Sequence, residues 1–444
     1  MFDFFLQKPK LLLVFFSIYI VFISSVYSLF VYPKGDEVHY LITASSIVKD
    51  QDIWLENNYA NHDYPAEYKT IDHHTIKSPN GHEVLYHGLG FYQLLISPGY
   101  DLLGKVGAVL TSSIFAILLA IQIYKFCNEV ISQKESSLIC TGIVMICLPL
   151  AQYSFLVFPE IIGAFLIVLN IRAIFNKPSL DILTAVSIGI MPWIHVRFFP
   201  PAVFLLLVWI LKGRKMEYKK LSHCLVTLII FICYFVFLEI IYGDFMPTKP
   251  YQVLGIPTNS GDILVNWINM LFDRQYGLFI YSPIFIFSLL GFMNWYKEKK
   301  TQALIVSGLI FSYLIPVATY YDWNGGYSPP ARYLVPIIGL LVPAIGFFLR
   351  RNKNQVVEII FYLFGIWSIS AFFINLSIPG NHGFVFSDGI SNFLWFMYQH
   401  IGVNIHHFFP AYFPEMNLSL RHYLWIILTM VFMFLIRKLS FFRF

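Results

Sequence analysis

Charge is what this 444-residue chain has least of. Asp, Glu, Lys and Arg make up 12% of it, about half the share in a soluble domain. That excludes a water-exposed globular protein of this length. Cysteine is also scarce. Cys127, Cys140, Cys147, Cys224 and Cys233 all fall in apolar segments or at one set of their ends, where Lys and Arg collect. The loops on the other side have none, so neither a structural disulfide nor a cysteine-based metal site is indicated. Low-complexity tracts are missing. No internal repeat stands out, which tells against an inverted-repeat transporter. The basic residues form no single face but spread over six loops and both termini, which excludes a nucleic-acid footprint.

What fills the chain is hydrophobic, at 57%. A membrane-crossing helix needs roughly 20 mainly apolar residues. Twelve segments qualify or come close: 11–32, 105–127, 137–157, 160–175, 179–195, 198–211, 221–242, 277–296, 302–320, 332–349, 355–377 and 418–436. In lipid the backbone must satisfy its own polar groups, so these segments are helices. The fold expected is an all-α polytopic membrane protein of about 12 transmembrane helices, forming a single domain over 1–444 with no separate soluble domain. Segments 160–175 and 198–211 are short, which leaves a ten-span arrangement open. The first segment lacks a small-residue cleavage site, so it reads as an uncleaved anchor.

The loops alternate in charge. With the N-terminus inside, inner segments carry 20 Lys and Arg against 7 Asp and Glu, a net +13, and outer ones carry 10 against 18, a net −8. This positive-inside pattern places both termini in the cytoplasm of an inner, or plasma, membrane. The outer face then has loops 33–104, 243–276, 321–331 and 378–417. Loop 33–104 opens with Asp36 and Glu37. Val38, Leu41, Ile42, Ser45 and Val48 share one helical face there, which predicts an amphipathic helix on the membrane surface. Leu89–Ile96 covers only about 12 Å as a helix. It is expected to dip into the interface and to break at Pro98-Gly99.

Several outer-face motifs occur in a telling order. They are Gly35-Asp36-Glu37, His87-Gly88-Leu89-Gly90, Ser97-Pro98-Gly99-Tyr100, Phe158-Pro159-Glu160 and Pro192-Trp193-Ile194-His195-Val196-Arg197. Further on come Arg274-Gln275-Tyr276-Gly277-Leu278 with Tyr281-Ser282-Pro283, Trp323-Asn324-Gly325-Gly326 and Pro330-Ala331-Arg332-Tyr333-Leu334. Together they resemble the GT-C superfamily of integral-membrane glycosyltransferases, including its protein O-mannosyltransferase and aminoarabinose transferase branches. The larger members have a soluble C-terminal domain that is not expected from these 444 residues, which leaves the acceptor open. The resemblance implies transfer of a sugar from a polyprenyl-phosphate carrier to an acceptor hydroxyl on the extracytoplasmic face, with inversion. Membrane lipids and the lipid-linked sugar are then the partners, with a glycan, lipid or protein as acceptor.

The residues suit that chemistry. Asp36 is the candidate base, although Asp also suits a helix cap. Glu37 is placed beside it to orient the acceptor or a metal. Glu160 stands at the outer end of a span, where a carboxylate is costly and tends to be functional. Arg197, Arg274 and Arg332 are outer-face cations able to hold the carrier phosphate in bidentate fashion. His87, His195, Tyr333 and the sugar-stacking Trp323 complete the expected substrate contacts. His62, His73, His74, His82 and His87, with Asp63, Asp72 and Glu83, could supply a divalent cation, but no pair has the H-x-x-x-H spacing. Surface histidines are the plainer reading. A transporter or lipid flippase would need ionisable groups near span centres, and here Glu239 and Arg172 lie near span ends. An oligosaccharide ligase or polymerase would not call for an acidic pair directly after the first span.

Overall fold

A polypeptide in lipid finds hydrogen-bond partners only in itself, and this chain responds with helices throughout. The computed structural model describes residues 9–65, 68–176, 182–212, 218–257, 261–320, 322–380, 382–402, 404–413 and 415–441. Helix α1 (Pro9–Phe30) leads into the first loop. The loop holds α2 (Asp36–Lys49), a hairpin of β1 (Thr75–Lys77) and β2 (Glu83–Leu85), and α3 (Phe91–Leu103). The hairpin is antiparallel, with Ile76 opposite Val84. Then follow α4 (Lys105–Ile131), α5 (Lys134–Ile146), α6 (Glu160–Asn176), α7 (Ile182–Ile194), α8 (Phe199–Lys212) and α9 (Tyr218–Tyr242). The chain continues through α10 (Ile263–Phe272), α11 (Ile286–Glu298), α12 (Lys300–Thr319), α13 (Val335–Arg351), α14 (Gln355–Ser377), α15 (Asn392–Ile401) and α16 (Leu420–Phe441).

Each of the twelve apolar segments contains helix, though residues 179–181 lie outside the described residues. Among the described residues, six helices are long and apolar enough to cross a membrane: Lys105–Ile131, Lys220–Tyr242, Lys300–Thr319, Arg332–Arg351, Gln355–Ser377 and Leu420–Ser440. The chain is an all-α polytopic membrane protein. Burial orders these helices from centre to rim. The apolar stretch of Arg332–Arg351 is 83% buried and that of Leu420–Ser440 only 11%, so α13 is the central post and α16 an outer one. α13 packs against α4, α6 and α11. At Gly291 of α11 a β-carbon would meet the Ala344 carbonyl oxygen at 1.7 Å, so only glycine permits that backbone contact.

Three expectations need correction. Segments 137–157 and 277–296 are not continuous helices. The first ends at Ile146 and resumes for one turn at Leu150–Tyr153. The second begins with Leu278–Tyr281 and restarts through Pro283–Phe285. Pro149 and Pro283 account for both breaks, since proline lacks the N–H and its ring crowds the preceding turn. Pro98-Gly99, by contrast, does not end its helix, and α3 runs through both residues. There the Ser97 hydroxyl bonds back to the Gln93 carbonyl at 2.7 Å, and packing against α2 and α4 holds the turn. Finally, α2 is buried at every position from Glu37 to Ser46. It is an internal element of the loop and not a float on the membrane surface, because loop residues cover its polar face too.

Candidate active site

Two chain reversals set the site. Gly35 adopts φ +55° just before α2, and a β-carbon there would meet the Tyr327 carbonyl oxygen at 2.4 Å. Only glycine turns the chain this tightly. Asp36 is thus the first residue of the helix, not its cap. At the other reversal, Ala331 sits in the left-handed region at φ +59° and starts the short turn Arg332–Leu334 ahead of α13. The two side chains meet, with Asp36 Oδ2 2.8 Å from Arg332 Nη2.

Arg332 is the hub. Its Nε donates to Glu160 Oε1 at 2.7 Å, and its Nη1 donates to the Gly325 carbonyl at 3.0 Å. Its guanidinium lies over the Phe158 ring at 4.4 Å. Glu160 is fully buried at the start of α6 and receives Arg197 on the same oxygen, Oε1 to Nη2 at 3.0 Å. Arg197 also lies over the Tyr333 ring at 4.9 Å. Two cations and two carboxylates therefore balance each other in one chain, Asp36, Arg332, Glu160, Arg197, of which Asp36 is half-buried and the rest are buried. A buried charge has to be paired in this way. Two polar atoms in the chain remain orphaned. Glu160 Oε2 and Arg197 Nε are buried with no hydrogen-bond partner.

This chain borders a cavity of about 720 Å³. Asp36, Arg332, Arg197, Tyr333, His87 and His195 all line it. The first loop contributes Tyr68, Thr70 and His74, and Tyr251 and Asp322 line it as well. Val196, Phe199, Pro200, Pro316 and Val317 give it an apolar wall at the ends of α7, α8 and α12. Burial alone would raise the Asp36 carboxyl, but Arg332, then His87 and His74, hold it well below the usual carboxylate range. Asp36 is ionised throughout the neutral range. Burial pushes Asp322 up to about 6, against the pull of Arg332. Burial also lowers the His87 imidazole to about 4 in spite of Asp36.

Several expected members lie elsewhere. Glu160 does not line the cavity; it stands behind the two arginines. Glu37 follows Asp36, but successive helical residues diverge by about 100°, and it points away from the cavity. Its Oε1 accepts from the Val157 N–H at 2.8 Å and its Oε2 from the Lys34 N–H at 3.2 Å. Burial raises its carboxyl to about 7. Trp323 is buried under Phe413, with stacked rings 6.2 Å apart, so it offers no face to a sugar. Arg274 Nε donates to the Gly389 carbonyl at 2.6 Å and pins the last outer loop well outside the cavity lining.

The histidine cluster divides. His62, His73 and His82 are exposed, while His74 and His87 turn inward. Asp36, His74 and His87 bring three ligand atoms within 4.8 Å of one another, a set that a divalent cation accepts. As the side chains stand, His74 Nδ1 and His87 Nε2 share a hydrogen bond of 2.9 Å. His39 stacks on His74 at 3.7 Å. Sequence reasoning passed over His39, Tyr251 and Asp322. Asp322 was within reach, being the residue before the Trp323 motif. His39 and Tyr251 carry no local signal.

No family model matches the sequence, and no curated protein matches it. The fold is more informative. The crystal structure of ArnT from Cupriavidus metallidurans bound to undecaprenyl phosphate aligns with a TM-score of 0.51 and 12% identity, over 85% of this chain and 67% of that one. The apo structure of the same protein aligns with a TM-score of 0.50 and 13% identity, over 98% of this chain and 73% of that one. The chain thus shares its transmembrane fold with ArnT, in keeping with the GT-C resemblance of its outer-face motifs.

Proposed function

We propose that this chain is an inverting glycosyltransferase of the GT-C type, hexosyltransferase-like, that uses a polyprenyl-phosphate-linked sugar. On this reading residues 1–444 form one domain crossing the plasma membrane twelve times, with the cavity on the extracytoplasmic side. One observation carries the proposal: a carboxylate and two guanidinium groups, held together by a buried glutamate, border a single cavity with an apolar wall. The ArnT structure with undecaprenyl phosphate supports a lipid phosphate as the ligand class.

The reaction follows from the charges. The carrier phosphate would take Arg332 and Arg197, whose forks suit phosphate oxygens. In doing so it competes with Asp36 for Arg332. Asp36 then loses the partner that holds its acidity low and becomes a better base. An acceptor hydroxyl attacks the anomeric carbon as the anomeric carbon–oxygen bond to phosphate breaks. Asp36 receives the hydroxyl proton, and the lipid phosphate leaves with the bonding pair. Fixed cations at the departing oxygen stabilise the charge that develops there. Asp322 and Tyr251 face the same space and are placed to orient the acceptor.

A transporter or flippase needs a polar path to the opposite face. Here the helix that starts at Arg332 runs inward through buried apolar residues, among them Val335, Ile338, Val342, Ile345 and Phe348. That favours the enzyme. An oligosaccharide ligase or polymerase differs in its pyrophosphate-linked donor. The test is to incubate membranes carrying the protein with labelled polyprenyl-phosphate sugars and measure release of polyprenyl phosphate. Asp36→Asn should slow that release by about 10²-fold or more. Turnover within a few-fold of wild type would reject the assignment of Asp36. Movement of the intact lipid across the bilayer without release would favour the flippase.

A further inference from the structure

The end of α13 away from the cavity carries a second built feature. From Arg332 to Arg351 the chain makes 20 helical residues, about 30 Å of rise and so about one hydrocarbon thickness. Where α13 ends, a pocket of about 290 Å³ opens between α11, α13 and α16. Its rim holds Lys297, Arg350, Arg351, Lys353 and Arg437. Leu290, Met293 and Phe348 also line it and give it an apolar part. On α11 the lining residues Leu290, Met293, Asn294 and Lys297 follow helical spacing, so one face passes from apolar to cationic.

The charges do not cancel. Glu298 is the carboxylate within reach of the rim, bonded to Arg350 and, through Oε1, to Arg351 Nε at 2.7 Å. Among the described residues no Asp or Glu lines the pocket. Five cations from three helices and one turn converge on a space partly bounded by hydrocarbon. The positive-inside rule explains basic residues at these ends. It does not explain their convergence, from residues 297 to 437, on a pocket with an apolar lining.

We infer that this pocket binds the headgroup of an anionic phospholipid, with its phosphate at the Lys297–Arg351–Lys353 rim and its upper acyl chain against Met293. Basic pockets between transmembrane helices hold such headgroups by charge. The apolar lining selects the lipid over a free phosphate, which would gain nothing from it. The surroundings agree, since Met293 is 39% exposed and Leu435, on the neighbouring helix, is 51% exposed. The inference does not depend on what the cavity at the other end does.

Native mass spectrometry of the purified full chain tests it. Phosphatidylglycerol should be retained, and phosphatidylcholine at least about ten-fold less, as expected for a charge-driven site. Lys297→Gln, Arg351→Gln and Lys353→Gln combined should lower phosphatidylglycerol retention by about ten-fold or more. Because that variant alters topology signals, Met293→Trp provides a second arm. It fills the apolar part, leaves every charge in place, and should lower retention comparably. Inorganic phosphate at tens of millimolar, by order of magnitude, should not displace the lipid. Equal retention of the two lipids would overturn the inference. So would unchanged retention in both variants, or displacement by inorganic phosphate.

Discussion

At the scale of single residues, Glu160 has the least visible part and the largest structural burden. It touches no cavity surface, yet one of its oxygens receives both Arg332 and Arg197. Glu160→Gln keeps an oxygen acceptor but removes the charge, leaving two buried guanidinium groups without the carboxylate that both of them bond. Breaking a buried pair costs about 3–5 kcal/mol, so the melting temperature should fall by several degrees, as differential scanning fluorimetry would read. Polyprenyl phosphate should restore part of the loss, because it supplies the missing negative charge. A wild-type melting curve would show that Glu160 does not hold the arginines. The sequence made Asp36, Glu160, Arg197 and Arg332 legible because each stands in an outer-face motif at the end of an apolar segment. It misled at Glu37, because an adjacent acidic pair looks like one unit until a helix turns its members apart. Trp323 and Arg274 carried matching motifs too, but packing turned the first inward and the last outer loop claimed the second.

At the scale of elements, the hydropathy pattern located helix in all twelve apolar segments, because lipid permits little else. Pro149 and Pro283 marked the two breaks in plain view. The burial of α2 was not legible. Its apolar pattern says which face prefers hydrocarbon, not that the rest of loop 33–104 folds over the other face. Glu37 reports on that burial. Folding raises its carboxyl from 4.5 to about 7, chiefly by desolvation. The folded state therefore holds the proton more tightly than the unfolded chain does. The stability from this group is complete below about 4.5 and is lost as pH rises through about 7. Wild-type thermal stability should show a component that falls between pH 4.5 and 7, roughly, and Glu37→Gln should lack it. The same slope in both proteins would mean that Glu37 is not desolvated as described.

At the scale of the whole molecule, α13 joins two ends of opposite character. One is a cavity with a balanced chain of charges, and the other a cationic pocket. The net charges of +13 and −8 on the two sets of loops predict which end faces which compartment. A cysteine at Asn61 should be labelled from outside intact cells and one at Lys299 should not; labelling at 299 would reverse the arrangement. The account's central claim is that Arg332 and Arg197 hold a lipid phosphate for which Asp36 competes. Binding of polyprenyl phosphate to purified protein tests this without knowledge of the sugar or acceptor. The account predicts that Arg332→Ala weakens binding by about ten-fold or more, the scale of a lost charge-assisted pair. It predicts that Asp36→Asn binds at least as tightly as wild type, because the competing carboxylate is gone. Unchanged binding in Arg332→Ala, or binding lost in Asp36→Asn, would contradict it.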